Sequence, residues 1–348
     1  MKKKLACVLA VFLTIALLAG CGSANKPASS EIYIMSTLVT QQVYGTRKKE
    51  AMEAVNRLLS TLDKKLSLFI VDSDIDRINQ NAGIAPVEVE SDTFALVAQA
   101  KKYSELSKGR FDLTIAPVTL LWGIDTDNAR VPSKEEIEEA LTRVDYRNVQ
   151  LNTEKQTVFL QNKGMKIDLG GIAKGFMAGV IGDEYKKYDI QSALVSIGGN
   201  ICIYGVKPDG SPYTLGIRDP ESASGEGLCG RLKASDEVVA TSGAYERYFE
   251  KNGKRYHHIF NPKTGYPVES DLLSVTVIAK DGGLADYLST TLYAAGSEFI
   301  SSYLNDGRFS VIVVDAQKKV HVSKALAGRF ELTGSGYELA EDSYERTK

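Results

Sequence analysis

The sequence predicts an α+β fold in which mixed and antiparallel sheets are flanked by helices. Apolar residues recur at helical spacing in a few separate segments, whereas short β-branched runs dominate the second half of the chain. The stretch Lys251 to Lys254, with Asn-Gly at its centre, is a strong hairpin signal between two such runs. No Pro/Gly-rich linker interrupts the body, so we expect one α+β unit, with a two-lobed arrangement as the open alternative.

The first part of the chain predicts an edge strand followed by three helices. Glu31 to Thr37 alternates apolar and polar residues like a strand. Arg47 to Leu66 places its alanines, leucines and valine on one helical face, and Ser91 to Leu106 is a second amphipathic helix. A third helix, Ser133 to Leu141, begins with a Ser-x-x-Glu capping box.

Strands dominate the rest of the chain. Two short strands lie on either side of residues 152–155, and two more lie on either side of residues 251–254. The β-branched runs Leu272 to Lys280 and Phe309 to Asp315 are typical of buried strands, and a helix from Gly283 to Ala295 separates them.

The N-terminus has the order of a secretion signal. Lys2 to Lys4 precede the apolar run Leu5 to Ala19, which is shorter than the about 20 residues that a membrane-spanning helix needs. The following Leu-Ala-Gly-Cys resembles a bacterial lipobox, which implies that Cys21 becomes the lipidated first residue, carrying acyl chains such as palmitate. We therefore expect a lipoprotein signal peptide at 1–20, a lipidated flexible tether at 21–30 and a single domain at 31–348. The alternative is an ordinary cleaved signal.

Composition and charge exclude some classes of partner. The 348 residues are 43% hydrophobic and 25% charged, with a formal net charge of -2. Lys and Arg are interleaved with acids, so the sequence lacks the basic stripe of a nucleic-acid binder. Cys7 would leave with the signal, and Cys202 and Cys229 are expected to be buried small hydrophobes, with a disulfide between them as the alternative.

A pair of glycines suggests a phosphate-binding turn. Residues 166–175 run from a strand into a helix through Gly170 and Gly171, so the backbone can approach a ligand at the positively polarised helix start. Lys174 can add a charge to a pyrophosphate, and Asp168 can accept hydrogen bonds. The alternative is a plain turn. Ser196 to Asn200 contains a second glycine pair after an apolar strand, which could bind a ligand in the same way. The alternative is a tight hairpin.

A second group of residues suggests a cation site. Asp286 and Thr290 lie four apart on a predicted helix, so a carboxylate and a hydroxyl share one face, and Ser289 adjoins them. Hard oxygen ligands suit Mg²⁺, with room for a backbone carbonyl of the Gly170-Gly171 turn. The alternative is a solvated aspartate near a helix N-terminus.

His257 and His258 are two of the three histidines, and in a strand their rings point to opposite faces. One of them could take a proton from an attacking hydroxyl at neutral pH, or both could be structural. Thr241 to Arg247 adds a polar turn whose arginine suits phosphate. Ser242 in that turn is no hydrolase nucleophile, because the nucleophile-elbow glycines are missing.

The order of these motifs resembles the ApbE family of FAD:protein FMN transferases, over roughly residues 31 to 335. The segments that carry the resemblance are Met35 to Thr37, Phe111 to Thr114 with Pro117, Asp168 to Gly175, Ser196 to Asn200, Thr241 to Arg247, His258 to Pro267, and Ala285-Asp286 with Ser289-Thr290.

The resemblance implies a set of site residues. For FAD it implies Met35, Phe69, Arg110, Phe111, Asp112, Asp168, Lys174 and the backbone near Phe260. For magnesium it implies the Gly171 carbonyl, Asp286, Thr290 and, less directly, Ser289; for proton handling it implies His258, with His257 as the competitor. This sequence departs from the family pattern at three positions. Asn261 stands where the family usually has Asp, and Ser36 stands where it often has Gly. Phe69 stands where a tyrosine often packs on the flavin. Phe69 keeps the stacking face and loses a hydroxyl.

The resemblance also implies a function. It is the Mg²⁺-dependent transfer of the FMN moiety of FAD to a Thr or Ser hydroxyl of an acceptor flavoprotein, with release of AMP, by an enzyme lipid-anchored outside the cytoplasm. Two alternatives stay open. An FAD pyrophosphatase would use water as the acceptor and give free FMN and AMP, and a non-enzymatic flavin-binding lipoprotein would need the flavin cleft without the cation.

Overall fold

The computed structural model describes residues 26–124, 126–222, 227–304 and 306–343. The predicted signal peptide and residues 21–25 of the predicted tether, Cys21 among them, lie outside these ranges, so their roles stay predictions. Within the described ranges, none of the helices combines the length and the apolar character needed to cross a membrane.

The helices confirm the helical part of the prediction. Those expected near residues 47–66, 91–106, 133–141 and 283–295 are all present, and so is the helix that follows the glycine pair. Three short helices, α2, α4 and α8, were not predicted because one to two turns hold too few residues to show a period. The helices are α1 (Lys48–Leu66), α2 (Asp74–Gln80), α3 (Ser91–Leu106), α4 (Ala116–Trp122), α5 (Lys134–Leu141), α6 (Ala173–Lys186), α7 (Gly282–Ala295) and α8 (Ile300–Tyr303).

Most strands belong to one nine-stranded sheet with the order β1-β2-β6-β7-β10-β13-β14-β15-β17. Its neighbours pair antiparallel except β15 and β17, which pair parallel. Two three-stranded sheets, β16-β9-β8 and β3-β5-β4, and the hairpin β11-β12 complete the fold. The strands are β1 (Ala28–Ile34), β2 (Thr37–Tyr44), β3 (Val87–Glu88), β4 (Val149–Asn152), β5 (Thr157–Leu160), β6 (Ser192–Ile197), β7 (Asn200–Gly205), β8 (Tyr213–Arg218), β9 (Leu228–Ala234), β10 (Val238–Gly243), β11 (Tyr248–Lys251), β12 (Lys254–His257), β13 (Leu272–Ala279), β14 (Phe309–Asp315), β15 (Lys319–Val322), β16 (Phe330–Leu332) and β17 (Glu338–Leu339).

Both faces of the large sheet are covered, which explains why β13 and β14 are continuous apolar runs. On one face Val277 and Val311 pack into the main hydrophobic cluster with α1, α3, α6 and α7. On the other face Ile278 and Ile312 pack against the sheet β16-β9-β8. The main cluster also includes residues of β3, β4 and β5. The α+β prediction is confirmed, with one main core and smaller clusters beside it.

The two described cysteines are free and buried. Cys202 belongs to the cluster on one face of the large sheet and Cys229 to the cluster on the other. Since the sheet separates them, the alternative of a disulfide is wrong, and the expectation of buried small hydrophobes is confirmed.

The N-terminal strand differs from its prediction in one respect. The segment Glu31 to Thr37 was expected to be a single strand, but it crosses a tight turn between β1 and β2, in which Ile34 pairs with Thr37. Met35 and Ser36 form the turn with φ of 50° and 55°. Met35 is not a typical turn residue, and Ser36 is not one of the residues that favour positive φ, so the sequence contains only a weak turn signal there. The strand also begins at Ala28, three residues before the expected start of the domain at Glu31.

Candidate active site

Helices α6 and α7 cross at their N-terminal turns with almost no space between them. A Cβ atom added to Gly175 would lie 2.5 Å from the Cβ of Asp286 and 2.8 Å from the carbonyl carbon of Gly282, so only glycine fits. Asp286 is 3% exposed, and its Oδ2 accepts a 2.9 Å hydrogen bond from the Gly175 N–H. Asp286 therefore caps α6, where the helix dipole favours negative charge. This burial excludes the alternative of a solvated aspartate.

Three hydroxyl groups lie together next to Asp286. Ser289 Oγ donates a 2.9 Å hydrogen bond to the carbonyl oxygen of Asp286. Ser242 Oγ, on β10, lies 2.9 Å from Ser289 Oγ and 3.2 Å from Thr290 Oγ1. Ser242 and Ser289 are buried, whereas Thr290 is partly exposed. The local sequence around Ser242 does not show that β10 packs against α7, so this contact was not predicted.

The turn before α6 brings Gly171 beside this cluster. A Cβ atom on Gly171 would lie 3.9 Å from Thr290 Cγ2 and 3.1 Å from the Phe111 ring. Asp168 Oδ1 accepts a 2.8 Å hydrogen bond from the Gly170 N–H and so shapes the turn. Lys174 Nζ donates to the Gly170 carbonyl oxygen at 3.2 Å. A helix N-terminus with a lysine at its rim suits an anionic group.

The donors around Asp286 suit a hard cation. They are one carboxylate, the Thr290 hydroxyl and the backbone of Gly171 nearby, the kind of set with which Mg²⁺ binds when phosphates supply further oxygens. Nowhere in the described ranges do three or more His, Cys, Asp or Glu side chains converge as a metal cluster. A cation here would depend on hydroxyl, carbonyl and substrate oxygens, and the metal roles of Gly171, Asp286, Ser289 and Thr290 stay predictions.

His257 is held by the backbone on both of its ring nitrogens. Its Nε2 lies 2.9 Å from the Val268 carbonyl oxygen, and its Nδ1 accepts a hydrogen bond of 3.2 Å from the Ile259 N–H. The ring is buried, and burial lowers the pKa of His257. With both nitrogens engaged, His257 has no nitrogen available to a substrate.

His258 follows directly after the end of β12 and makes a different contact from His257. Its Nδ1 lies 3.3 Å from the carbonyl oxygen of Arg247. Because a carbonyl only accepts, Nδ1 carries the hydrogen and Nε2 keeps a lone pair. His258 is partly exposed at the surface. Desolvation by the surrounding residues, followed by the positive charges of Arg247 and Lys174, lowers the pKa of His258 to about 3. The imidazole is therefore neutral at pH 7, and it lies within electrostatic range of the lysine beside the glycine turn.

An open pocket of about 240 Å³ lies between the Met35-Ser36 turn, the loop after α1 and Arg247. Met35 and Phe69 both line it, although they lie on different elements. Phe69 is 63% exposed, so one of its faces can pack against a planar ligand. Since Arg247 also bonds His258, the pocket and the histidine are neighbours.

Arg110 and Phe111 reach different surroundings although they are adjacent. The Arg110 guanidinium lies over the Phe299 ring at 4.8 Å. Phe111 is buried and packs edge-on against Tyr287, with ring centroids 5.5 Å apart. The buried ring fixes the position of the Gly171 turn, which it touches.

Asp112 uses its carboxylate inside the protein. Oδ1 accepts hydrogen bonds from the backbone and the hydroxyl of Thr114 at 2.8 Å and 2.6 Å, and Oδ2 accepts one from the Tyr146 N–H at 3.2 Å. Burial, which outweighs these bonds, raises the pKa of Asp112. The Asp112 side chain holds the loop after α3. The predicted contact between Asp112 and FAD would therefore be made by the backbone of Asp112.

The loop around Phe260 tolerates the departure at Asn261. Phe260 is buried with its ring centroid 5.9 Å from that of Trp122. Asn261 Oδ1 accepts a 2.9 Å hydrogen bond from the Lys263 N–H, which an aspartate oxygen would accept in the same way. The amide therefore preserves the turn.

Asn200, the first residue of β7, carries a buried side-chain donor. Its Nδ2 has no hydrogen-bond partner among the described residues, although the side chain is buried. The preceding Gly198 and Gly199 form the hairpin turn between β6 and β7, and Gly198 lies against Thr37. For Ser196 to Asn200 the alternative of a tight hairpin is therefore the one that the structure shows. A buried unpaired amide is the kind of group that a ligand or an ordered water satisfies.

The fold and these contacts define an α+β protein whose site, at the junction of a helix N-terminus and a buried carboxylate, is suited to an anionic ligand and a hard cation. The chain belongs to the ApbE family, whose family model matches residues 35–313. The predicted family is thereby confirmed.

Relatives and solved structures agree with this assignment. The FAD:protein FMN transferase of Treponema pallidum (strain Nichols) is 34% identical over 93% of this chain and 96% of its own length. The FAD:protein FMN transferase of Klebsiella pneumoniae (strain 342) is 32% identical over 92% of this chain and 99% of its own. The crystal structure of the ApbE protein of Thermotoga maritima is 32% identical, with a TM-score of 0.81 over 87% of this chain and 99% of that one.

Proposed function

We propose that this protein transfers the FMN moiety of FAD to a Thr or Ser hydroxyl of an acceptor flavoprotein and releases AMP. The names of its relatives support an FAD:protein FMN transferase. The observation that carries the proposal is the meeting of the glycine turn, Lys174 and Asp286 at the start of α6. The pocket lined by Met35 and Phe69 is also lined by Arg247, whose carbonyl oxygen contacts His258.

The residues divide between the two halves of FAD. Phe69 and Met35 would hold the flavin ring through apolar contact. The start of α6 and Lys174 would hold the pyrophosphate through N–H groups and a positive charge. Because both parts would be fixed, the phosphorus on the FMN side would be presented to an incoming hydroxyl in one orientation.

Asp286, Thr290 and the Gly171 carbonyl would hold Mg²⁺, whose charge neutralises pyrophosphate oxygens during phosphoryl transfer. The acceptor hydroxyl oxygen would form a bond to the FMN phosphorus while the bond to the bridging oxygen breaks. AMP would leave with that oxygen.

His258 Nε2 would take the proton of the attacking hydroxyl. A pKa of about 3 makes this imidazole a weak base in the protein alone. A bound pyrophosphate would raise that pKa by the part of its negative charge that Mg²⁺ and Lys174 do not neutralise, so substrate binding would make His258 a stronger base. His257 would serve as structural support.

The proposed location is the outer face of the cell membrane, with the lipid anchor on Cys21. The Leu-Ala-Gly-Cys sequence after a basic and apolar stretch supports this location. Growth in labelled palmitate and a Cys21→Ala variant would test it, since the variant should lose both the label and membrane association.

The transfer is tested by incubating residues 28–348 with FAD, Mg²⁺ and an extracytoplasmic flavoprotein, then weighing the acceptor by intact mass spectrometry. We expect a gain of one FMN, release of AMP, and no gain after Mg²⁺ is chelated. Free FMN and AMP with an unmodified acceptor would support the pyrophosphatase alternative. Retained, intact FAD would support a binding protein.

A further inference from the structure

We propose that Ser242 is a positioning residue that orients the Thr290 hydroxyl for cation binding. The inference rests on the proposed function, because it assigns a second residue to the Mg²⁺ site formed by Asp286 and Thr290. Ser242 itself would not touch the cation, since it lies on β10 behind the two residues of α7.

The direction of each hydrogen bond follows from counting protons. Ser289 has one hydroxyl hydrogen, and it is donated to the Asp286 carbonyl oxygen at 2.9 Å. The 2.9 Å contact between Ser289 and Ser242 must then use the hydrogen of Ser242. Ser242 has no second hydrogen, so the 3.2 Å contact with Thr290 must use the hydrogen of Thr290. The three bonds therefore run from Thr290 to Ser242, then to Ser289, and end at the backbone of α7.

This direction matters for the cation. A hydroxyl binds a metal ion through an oxygen lone pair, so a hydrogen pointing at the cation would repel it. Ser242 accepts the hydrogen of Thr290 on the side of β10, which leaves the lone pairs of Thr290 directed away from the strand. Ser242 and Ser289 are 9% and 0% exposed, so water has little access to the bond between them.

The sequence offers a matched control on the same strand. Thr241 points to the opposite side of the sheet from Ser242, and its Oγ1 lies 2.9 Å from Thr276 Oγ1 on β13. Thr241→Val removes a hydroxyl from a pair of similar length without touching α7. It should leave cation binding unchanged.

The experiment measures Mn²⁺ binding directly. Full-length protein carrying FAD, without acceptor, is titrated with Mn²⁺, and free Mn²⁺ is counted by electron paramagnetic resonance. We expect Ser242→Ala to weaken Mn²⁺ binding about tenfold, the scale at which outer-shell partners of metal ligands act. Ser242→Cys, which keeps a weak donor and acceptor, should recover part of the loss. Far-ultraviolet circular dichroism and urea midpoints confirm that each variant is folded.

A double-mutant cycle separates positioning from a general loss of packing. In a Thr290→Val background, Ser242→Ala should cost no further Mn²⁺ affinity, because the hydroxyl it orients is gone. Equal affinity of Ser242→Ala and Thr241→Val, or full additivity with Thr290→Val, would overturn the inference while leaving the proposed function intact. A wild-type protein that binds no Mn²⁺ would remove the proposed metal site and this inference with it.

Discussion

The contact between α6 and α7 gives opposite expectations for two glycines of one helix. Gly175→Ala would place a Cβ atom 2.5 Å from the Cβ of Asp286, whereas carbon atoms normally pack about 3.5–4.0 Å apart, so the helices must separate by about 1 Å. Such overpacking costs about 1–3 kcal/mol or more. At Gly179 a Cβ atom would meet nothing within 4 Å, and Gly179→Ala should stabilise the protein by about 0.5–1 kcal/mol through better helix propensity.

Urea unfolding followed by circular dichroism measures both free energies of unfolding against wild type. We expect Gly175→Ala to lower the midpoint and Gly179→Ala to raise it. The separation of the helices also moves Asp286 from the Gly175 N–H, so Gly175→Ala should lower transfer activity even at temperatures where it is folded. A neutral or stabilising Gly175→Ala would refute the close-contact reasoning.

The remaining predictions concern the turn, the cysteines and the histidines. Ser36→Gly should stabilise the protein by about 0.5–1 kcal/mol, because Ser36 has a φ of 55°, in the left-handed region that glycine adopts without steric cost. Ser29→Gly in β1 is the control and should destabilise the protein in the same urea assay, because glycine weakens an extended strand. Cys202 and Cys229 should resist iodoacetamide in the native state, because burial raises both thiol pKa values to about 12; rapid alkylation without denaturant, measured by mass spectrometry, would contradict this. The pKa of His258 is about 3 in the folded protein and about 6.5 in an unfolded chain, so between these values the unfolded chain binds more protons and stability falls as pH falls. Urea midpoints at pH 7.5 and 5.5 should show this fall, and His258→Asn should reduce it.

The elements with strong local signals were predictable from sequence. The capping box of Ser133 and Glu136 forms as expected, with both hydrogen bonds present. The Asn252-Gly253 turn joins β11 to β12, since both residues adopt positive φ as such a hairpin requires. Hydrophobic periodicity and turn-forming residues depend only on neighbours along the chain, so a single sequence contains the information needed to predict these elements.

The features that sequence could not supply depend on contacts between distant segments. Ser242 and Thr290 are 48 residues apart, and only the packing of β10 on α7 makes them neighbours. The capping of α6 by Asp286 likewise joins residues 111 apart, so a residue predicted to be solvated or metal-binding also proves to hold two helices together. The engagement of both His257 nitrogens could not be anticipated either, because it requires the Val268 carbonyl.

The early start of β1 limits how far the pocket can lie from a membrane. If Cys21 is acylated as proposed, residues 22–27 alone connect the lipid to Ala28, and at about 3.3–3.6 Å per residue they cannot span more than about 25 Å. Strand β1 adds about 20 Å before the chain reaches Met35 at the pocket. Any acceptor would have to bring its hydroxyl within about 45 Å of the bilayer surface. So short a tether favours FMN transfer to acceptor proteins that are bound to the same membrane over transfer to acceptors that diffuse freely.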